Sequence, residues 1–148
     1  MSIIWQFQGN NRFLSNFYPS EVEYEGNIYP TAENAFQAAK VLSSILRKEF
    51  LDISPGEAKR LGQRMPLRPL WEESKLQIME QIVTLKFEDK GMALLLTDTY
   101  PARLVEGNTW GDFFWGMVYK KADENFSAGW YGNNHLGKIL MRVRKSLL

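Results

Sequence analysis

The sequence pattern changes at Pro30 and Thr31, and this change constrains how the N-terminal part of the chain can fold. Before it, Glu21–Tyr24 alternates charged and apolar residues, and a polar turn at 25–27 leads into Ile28–Tyr29, which predicts a hairpin with one solvated face. After it, apolar residues recur at three- and four-residue spacing over 35–46, behind Thr31 as the helix N-cap. The sequence therefore predicts a β-hairpin followed directly by a long helix.

The rest of the chain favours more helices and a few short strands. We predict a first strand at Ile3–Phe7, helices over 54–61, 71–87 and up to Leu96, a brief strand at 104–106, a loop with short strands over 107–134, and a closing helix over 137–147. Gly91 is expected to separate the second and third of these helices. The fold class is thus α+β, mainly helical, with a small antiparallel sheet in the N-terminal quarter.

Length and composition favour one soluble domain spanning residues 1–148. With 45% apolar residues, a chain of 148 residues can bury one sizeable core. It contains no cysteine, which removes disulfides, thiolate nucleophiles and cysteine-ligated zinc and suits a cytoplasmic location. No leader pattern and no run of eighteen apolar residues is present, so we expect neither secretion nor membrane association.

Charge and aromatic content favour a small ligand over a polymer. Eighteen basic and seventeen acidic residues give a net charge of +1, so no global field would gather a long polyanion. Five Trp, six Tyr and nine Phe supply planar rings that can stack on nucleobases or fill a core. A nucleotide-like small molecule fits this balance better than a general nucleic-acid partner.

Polar and aromatic groups crowd together on both sides of the predicted hairpin, in Phe13–Tyr18 and in the helix after Thr31. Each polar group near a core must find a partner, so this mixture is typical of a binding or catalytic site. On a helix, positions 33, 36, 37 and 40 share one face, so Glu33, Gln37 and Lys40 can address one ligand together with Phe36. The alternative is that Glu33 only complements the helix dipole and Lys40 is solvated.

A second group of candidates lies in Trp110–Gly116, where Asp112 is embedded among four large rings. Such an aspartate could act as an acid, a base or an acceptor for a ribose hydroxyl. The plainer alternative is a core turn in which Asp112 accepts hydrogen bonds from backbone amides. Trp71 is similarly open, since a tryptophan that begins a helix can belong to the core or form one wall of a base-stacking slot.

Motifs for metals, phosphate loops and dinucleotides are missing from the sequence. The single histidine, His135, has no second imidazole or cysteine partner, so we expect no metal site and no cofactor. No Walker loop occurs, and Gly107–Gly116 lacks the strand and helix context of a dinucleotide fingerprint. An anion would then be bound by helix N-termini or by basic side chains, most of which are expected to be solvated: Lys59, Arg60, Arg64 and Arg68.

Several blocks in a fixed order resemble the YbiA-like, or NADAR, family. The matching blocks are 13–17, 29–33, 36–40, 58–59 with Gly62, Trp71, 86–87, 110–116 and the Gly-x-Asn-x-Leu-Gly segment at 132–137. One departure is Thr97-Asp98-Thr99, where many members place a glycine soon after the threonine. The resemblance implies an α+β fold and a hydrolase that cleaves the N-glycosidic bond between ribose and a base or base-like ring.

The resemblance also carries over residues one by one. In the YbiA-type pattern, the positions tied to substrate and activity match Glu33, Trp71, Asp112 and Trp115. For at least some members a lysine nucleophile that forms a Schiff base with the opened ribose is implied. Lys40, Lys59 and Lys86 all fall in matching blocks, and Lys40 is favoured because Glu33 lies on its helix face. The remaining expected substrate contacts are Asn16, Phe17, Lys59 and Asn134.

The leading hypothesis is an N-glycosidase with Glu33, Asp112 and Lys40 as the reacting side chains, and with Trp71 and Trp115 on either side of a ring. Implied substrates are phosphoribosylamino-pyrimidine intermediates of riboflavin biosynthesis or ADP-ribosylated guanine, free or in nucleic acid. The alternative from another class is a non-catalytic module that binds ADP-ribose or a nucleotide. A third alternative uses the aromatic residues only as core and predicts no binding.

Overall fold

The computed structural model describes residues 2–148 and divides the chain into two compact units. We call Asn16–Met92 the central unit; the terminal unit combines the chain up to Ser15 with Ala93–Leu148. The helices are α1 (Ala32–Ala38), α2 (Ser44–Lys48), α3 (Pro55–Gln63), α4 (Trp71–Lys86), α5 (Lys90–Thr97) and α6 (His135–Leu147). The strands are β1 (Ile3–Ile4), β2 (Val22–Tyr24), β3 (Asn27–Tyr29), β4 (Arg103–Leu104), β5 (Val118–Lys120) and β6 (Gly129–Tyr131).

In the central unit, β2 and β3 form the predicted antiparallel hairpin, with Val22 opposite Tyr29. The turn has two consecutive positive φ angles, 45° at Glu25 and 89° at Gly26, as a tight hairpin turn with the right twist requires. Val22 and Tyr24 are buried while Glu23 between them is exposed. The alternating pattern therefore predicted both the hairpin and its solvated face.

The long helix predicted after Thr31 is wrong beyond Ala39, because the chain forms two short helices there. Thr31 does cap α1, accepting a hydrogen bond from the Asn34 N–H at 3.1 Å, but α1 ends at Ala38. Ser43 then caps α2, and Leu42 and Ile45, which were expected in one buried stripe, are 61% and 78% exposed. The Ser43 side chain starts a new helix instead of continuing α1, and the apolar spacing alone gives no sign of this break.

The other two helices of the central unit follow their local signals closely. Ser54 and Glu57 form the capping box expected at the start of α3. The core of the unit forms where α1 packs on α3 and α4, with Phe36, Met79 and Ile82 buried. Leu76, expected on the buried side of α4, is 38% exposed. This packing matters because it surrounds the polar side chains of α1 with apolar groups.

In the terminal unit, β1 pairs in parallel with β4, so the first strand does not join an antiparallel sheet in the N-terminal quarter. The predicted strand at 3–7 is reduced to Ile3–Ile4 and is followed by a 3₁₀ helix, Gly9–Leu14. The predicted loop over 107–134 contains the antiparallel pair β5 and β6. Helix α6 packs on β4 and buries Leu136, Ile139 and Leu140.

Mainly helical structure with small sheets agrees with the predicted fold class, although Gly91 lies inside α5 and does not separate helices. The sheets of residues 2–148 each have two strands. Across the same residues, every helix is too short or too polar to cross a bilayer.

Candidate active site

Helix α1 carries the candidate carboxylate Glu33 in its first turn, directly after the Thr31 cap. The Glu33 N–H donates to the Asn16 carbonyl oxygen at 3.0 Å, which satisfies one of the amides that a helix start leaves without an intrahelical partner. Glu33 is 9% exposed. The sequence folds this way because Pro30 and Thr31 begin the helix just where the β3 strand ends.

One turn further along α1, Gln37 is bonded to Glu33. Its Nε2 donates to Glu33 Oε2 at 2.6 Å, and the side chain is 5% exposed. The other amide atom, Oε1, has no hydrogen-bond partner in the part of the chain that the structure describes. The Glu33 carboxylate is therefore held by a buried amide that is itself only half satisfied.

Lys40 lies in the turn after α1, two residues past the last helical residue. The prediction that a continuous helix face carries it is therefore wrong, but its N–H still donates to the Gln37 carbonyl oxygen at 3.2 Å. Burial lowers the pKa of the Lys40 ammonium, and Lys59 lowers it further, while the charge on Glu33 acts in the opposite direction. A lysine whose pKa is lowered in this way keeps more of its amine in the neutral, nucleophilic form.

The rings of Trp71 and Phe36 pack together in the central unit. Trp71 begins α4, is 5% exposed, and its ring centroid lies 5.2 Å from that of Phe36. This packing agrees with a core position for Trp71, and its predicted stacking on a base stays a prediction. Phe17, in contrast, is 42% exposed.

The other predicted substrate contacts of the central unit differ in burial and in hydrogen bonding. Asn16 is buried, and its Nδ2 donates to Met79 Sδ at 3.4 Å, so it ties the chain before the hairpin to α4. Lys59 on α3 is half-buried and close enough to Lys40 to influence its pKa. Its neighbours Arg60 and Arg64 are exposed, as expected for solvated charges.

In the terminal unit, Asp112 organises the loop that contains it. Its Oδ1 accepts hydrogen bonds from the backbone N–H groups of Phe114 and Trp115, at 3.0 and 2.9 Å. Asn108 holds the loop from the other side, since its Oδ1 accepts from the Asp112 N–H and its Nδ2 donates to the Asp112 carbonyl, both at 2.9 Å. The plainer alternative, in which Asp112 accepts hydrogen bonds from backbone amides, is therefore correct for Oδ1 of this carboxylate.

The same loop is joined to the start of α6. The N–H groups of Asn133, Asn134, His135 and Leu136 donate to the carbonyls of four successive loop residues, Phe113 to Gly116. These bonds use the amides of the α6 N-terminus that would otherwise suit an anion. The first two amides of α6 are therefore engaged by the loop.

Asn134, a predicted substrate contact, is fully buried with φ 53°. Its Nδ2 donates to the Leu104 carbonyl at 2.9 Å and its Oδ1 accepts from the Glu106 N–H at 3.0 Å. Through these bonds Asn134 supports the chain between β4 and the loop. Its contact with substrate stays a prediction.

Trp115 is half-buried, with its ring edge-on to Phe114 at 4.8 Å and to His135 at 6.5 Å. The prediction that Trp71 and Trp115 enclose one ring joins residues of different units and stays a prediction. The structure brings Glu33 and Lys40 near each other in the central unit, and Asp112 and Trp115 in the terminal unit.

For two residues the sequence interpretation missed a structural role. Gln37 was noted only for its helix face, although it is the partner of Glu33. Asn108 was not singled out, yet it braces the Asp112 loop; its position four residues before an aspartate in a glycine-rich loop is the signal that could have found it.

The chain is similar to known proteins in both sequence and structure. The NADAR domain model matches residues 4–148. The N-glycosidase YbiA of Escherichia coli strain K12 is 37% identical over 138 residues, covering 90% of this chain and 80% of the relative. The NMR structure of the E. coli protein YbiA superposes with a TM-score of 0.77 at 34% identity, covering 99% of this chain and 84% of that one.

A longer relative matches as well. A riboflavin biosynthesis protein of Vibrio vulnificus is 31% identical over 142 residues, which cover 93% of this chain and 36% of that protein. The family assignment made from the ordered sequence blocks is thus confirmed, and so is the fold class. The chain belongs to the NADAR family, as a hydrolase of the N-glycosidase type that its curated relatives represent.

Proposed function

We propose that this hydrolase cleaves the N-glycosidic bond between the anomeric carbon of a phosphorylated ribose and the nitrogen of a base or base-like amine. The observation that carries the proposal is Lys40, a half-buried lysine whose pKa is lowered by burial and which lies within electrostatic range of Glu33. An ammonium that served only solubility would gain nothing from partial burial. A nucleophilic amine gains reactivity from it.

The proposed reaction uses the neutral amine of Lys40. Its nitrogen attacks the anomeric carbon, the bond from that carbon to the base nitrogen breaks, and the leaving nitrogen takes a proton from a carboxylic acid. Opening of the ribose ring then leaves an imine between Lys40 and the sugar, and water hydrolyses it to the free sugar and the regenerated amine. Either Glu33 or Asp112 exchanges the protons in these steps.

Glu33 and Asp112 are proposed to have different tasks in this reaction. Glu33 is buried beside the amide of Gln37, which suits a carboxylate that stabilises positive charge developing on the sugar. Asp112 has its Oδ1 engaged by two backbone amides, so its Oδ2 is the oxygen we assign to substrate. Trp71 and Trp115 supply ring faces for the base or sugar, and Lys59 the charge for a phosphate.

Two substrate classes fit this chemistry, since both present a phosphorylated ribose on a planar nitrogen heterocycle. We favour a phosphoribosylamino-pyrimidine intermediate of riboflavin biosynthesis, because the net charge of +1 suits a small substrate and a relative carries a riboflavin biosynthesis name. ADP-ribosylated guanine, free or at an accessible position in nucleic acid, is the second substrate class.

The direct test is to incubate the purified protein with each substrate and to detect released base and sugar by mass spectrometry. Borohydride added during turnover should reduce the imine and leave a sugar-sized mass increment on the peptide containing Lys40. Release of base without any trapped adduct would contradict the lysine mechanism but keep the hydrolase. Tight ADP-ribose binding by calorimetry with no base released from either substrate would instead support the binding module.

A further inference from the structure

We infer that Gln37 is a positioning residue, which holds the Glu33 carboxylate in the orientation that the reaction needs. This inference rests on the proposed function of Glu33 and adds to it a second side chain that touches no reacting atom. Gln37 is bonded to Glu33 at 2.6 Å across one helical turn, the spacing at which side chains of a helix meet.

The chemistry of the amide fixes how Gln37 must be oriented. A carboxylate in its ionised form only accepts hydrogen bonds, so the Nε2 side of the amide has to face Glu33. That orientation turns Oε1 away from Glu33, and Oε1 finds no hydrogen-bond partner among residues 2–148. Because a buried acceptor without a partner disfavours the folded state, the unpaired Oε1 offsets part of the stability that the bond from Nε2 to Glu33 contributes.

Helix α3 makes room for this arrangement at Gly62. A Cβ atom at that position would overlap Gln37 Oε1 and lie 2.8 Å from Gln37 Cδ. A glycine inside a helix is itself unfavourable compared with alanine. Two separate features that lower stability, the unpaired oxygen and the helical glycine, thus occur together at a side chain that bonds Glu33.

The first test is Gln37→Met, which keeps the length of the side chain and removes the donor. We expect kcat to fall about 10- to 100-fold, as for other losses of alignment at a reacting group, with KM changed less than about twofold. The midpoint of thermal unfolding should move little, because the loss of the bond to Glu33 lowers it while the loss of the unpaired oxygen raises it. Gln77→Met is the matched control, since Gln77 lies exposed on α4 and should leave both values unchanged.

The second test is Gln37→Glu, which puts two carboxylates where the structure has one bonded pair. Two such groups in contact share a proton, so the second one ionises only at higher pH. If Glu33 acts as a carboxylate, the acidic side of the kcat profile should steepen at a higher pH than in wild type, below the limb that the Lys40 amine sets. A role limited to packing predicts no such steepening.

The third test couples the two helices. Gly62→Ala should displace the Gln37 amide and reproduce part of the loss in kcat, and it should add nothing in a protein that already carries Gln37→Met. Losses that simply multiply in the double variant would overturn the link between Gly62 and Gln37.

Failure of this inference can be told apart from failure of the proposed function. Full activity of Gln37→Met alongside inactive Glu33→Gln overturns the inference and leaves the proposed function standing. If wild-type protein releases no base, the proposed function fails. The hydrogen bond between Gln37 and Glu33 is then tested by NMR. The side-chain amide resonances of Gln37 should titrate together with the Glu33 carboxyl carbon; independent titrations would overturn the positioning role.

Discussion

The two regions that hold the candidate residues use their polar groups in opposite ways. Around Glu33 in the central unit, side chains bond to side chains, one buried amide oxygen has no partner within residues 2–148, and a lysine is partly desolvated. In the terminal unit, Asn108, Asp112 and Asn134 bond to backbone groups and define the path of the loop. The first arrangement favours reactivity at a cost in stability, and the second favours a fixed shape.

Residues of the same type therefore have different tasks in the two regions. Glu33 and Asp112 are both carboxylates in sequence blocks of the same family, yet Glu33 bonds to the side-chain amide of Gln37, whereas Asp112 accepts from two backbone amides of its own loop. Substitutions around Lys40 should therefore change activity before stability. Substitutions around Asp112 should change both.

The largest effect is expected at Lys40. Lys40→Ala should lower kcat by about 10⁴-fold or more, as removal of a nucleophile does in other enzymes, measured as base released per enzyme. Lys40→Arg should be equally inactive, because a guanidinium stays protonated and forms no imine. Full turnover in either purified variant would remove Lys40 from the mechanism.

Stability of a Lys40 variant gives an independent check. Because burial holds the pKa of Lys40 below that of an unfolded chain, the folded protein binds fewer protons at this site, and charging it costs stability. Lys40→Met should therefore unfold at an equal or higher temperature than wild type at neutral pH. The gain should shrink as the pH rises towards the ordinary pKa of lysine.

The next effect concerns Asn134, the most buried support of the terminal unit. Asn134→Ala should lower the free energy of unfolding by about 3–5 kcal/mol, because a buried carbonyl and a part-buried N–H lose their partner and alanine is strained at φ 53°. Asn134→Gly removes only the strain and should recover about 1 kcal/mol of that loss. Denaturant unfolding measures both, and a neutral Asn134→Ala would contradict the shaping role.

A smaller effect on stability is expected at Asp112. Asp112→Ala removes the acceptor for two backbone amides of a half-buried loop and should cost about 2–4 kcal/mol. Asp112→Asn keeps an oxygen in place and should cost less than about 1 kcal/mol. If Asp112→Asn is stable but inactive, the carboxylate acts on substrate as well as on the loop; if it stays active, the residue only shapes the loop.

The smallest predicted effect is a pH shift caused by Lys59. Its charge lowers the pKa of Lys40, so Lys59→Ala should raise that pKa and move the acidic limb of kcat/KM up by about 0.2–0.5 pH unit at low salt. The direction follows because activity requires the neutral amine. Arg60→Ala, at an exposed site on the same helix, should leave the limb in place, and a separate rise in KM for Lys59→Ala would support its predicted phosphate contact.

Elements with local signals were predictable from sequence. The hairpin turn at Glu25 and Gly26 and the capping box of α3 depend on residues within four positions of each other, so the sequence contains their whole cause. The long helix after Thr31 failed for the opposite reason. The spacing of Leu42 and Ile45 is compatible with burial, but burial depends on what packs there, and both side chains are left mostly exposed.

The candidate site shows the same limit. Glu33 and Asp112 could be selected from sequence, since residue type and family block point to them directly. The two alternatives for Asp112 could not be separated, because hydrogen bonds to backbone amides depend on the path of a loop that has no periodic pattern. Gln37 was visible as a helix neighbour of Glu33, while its conflict with a side chain at Gly62 requires the packing of α1 on α3.

The family, the fold class, the hairpin and the caps of α1 and α3 follow from the sequence alone, since short-range backbone preferences and ordered blocks carry that information. Three features became visible only in the folded chain: Lys40 is partly desolvated, Gln37 holds Glu33 with its own oxygen unpaired within residues 2–148, and Asn134 braces residues 28 and 30 positions earlier. Desolvation and long-range hydrogen bonding depend on groups brought together by packing, and spacing along the chain does not contain that proximity.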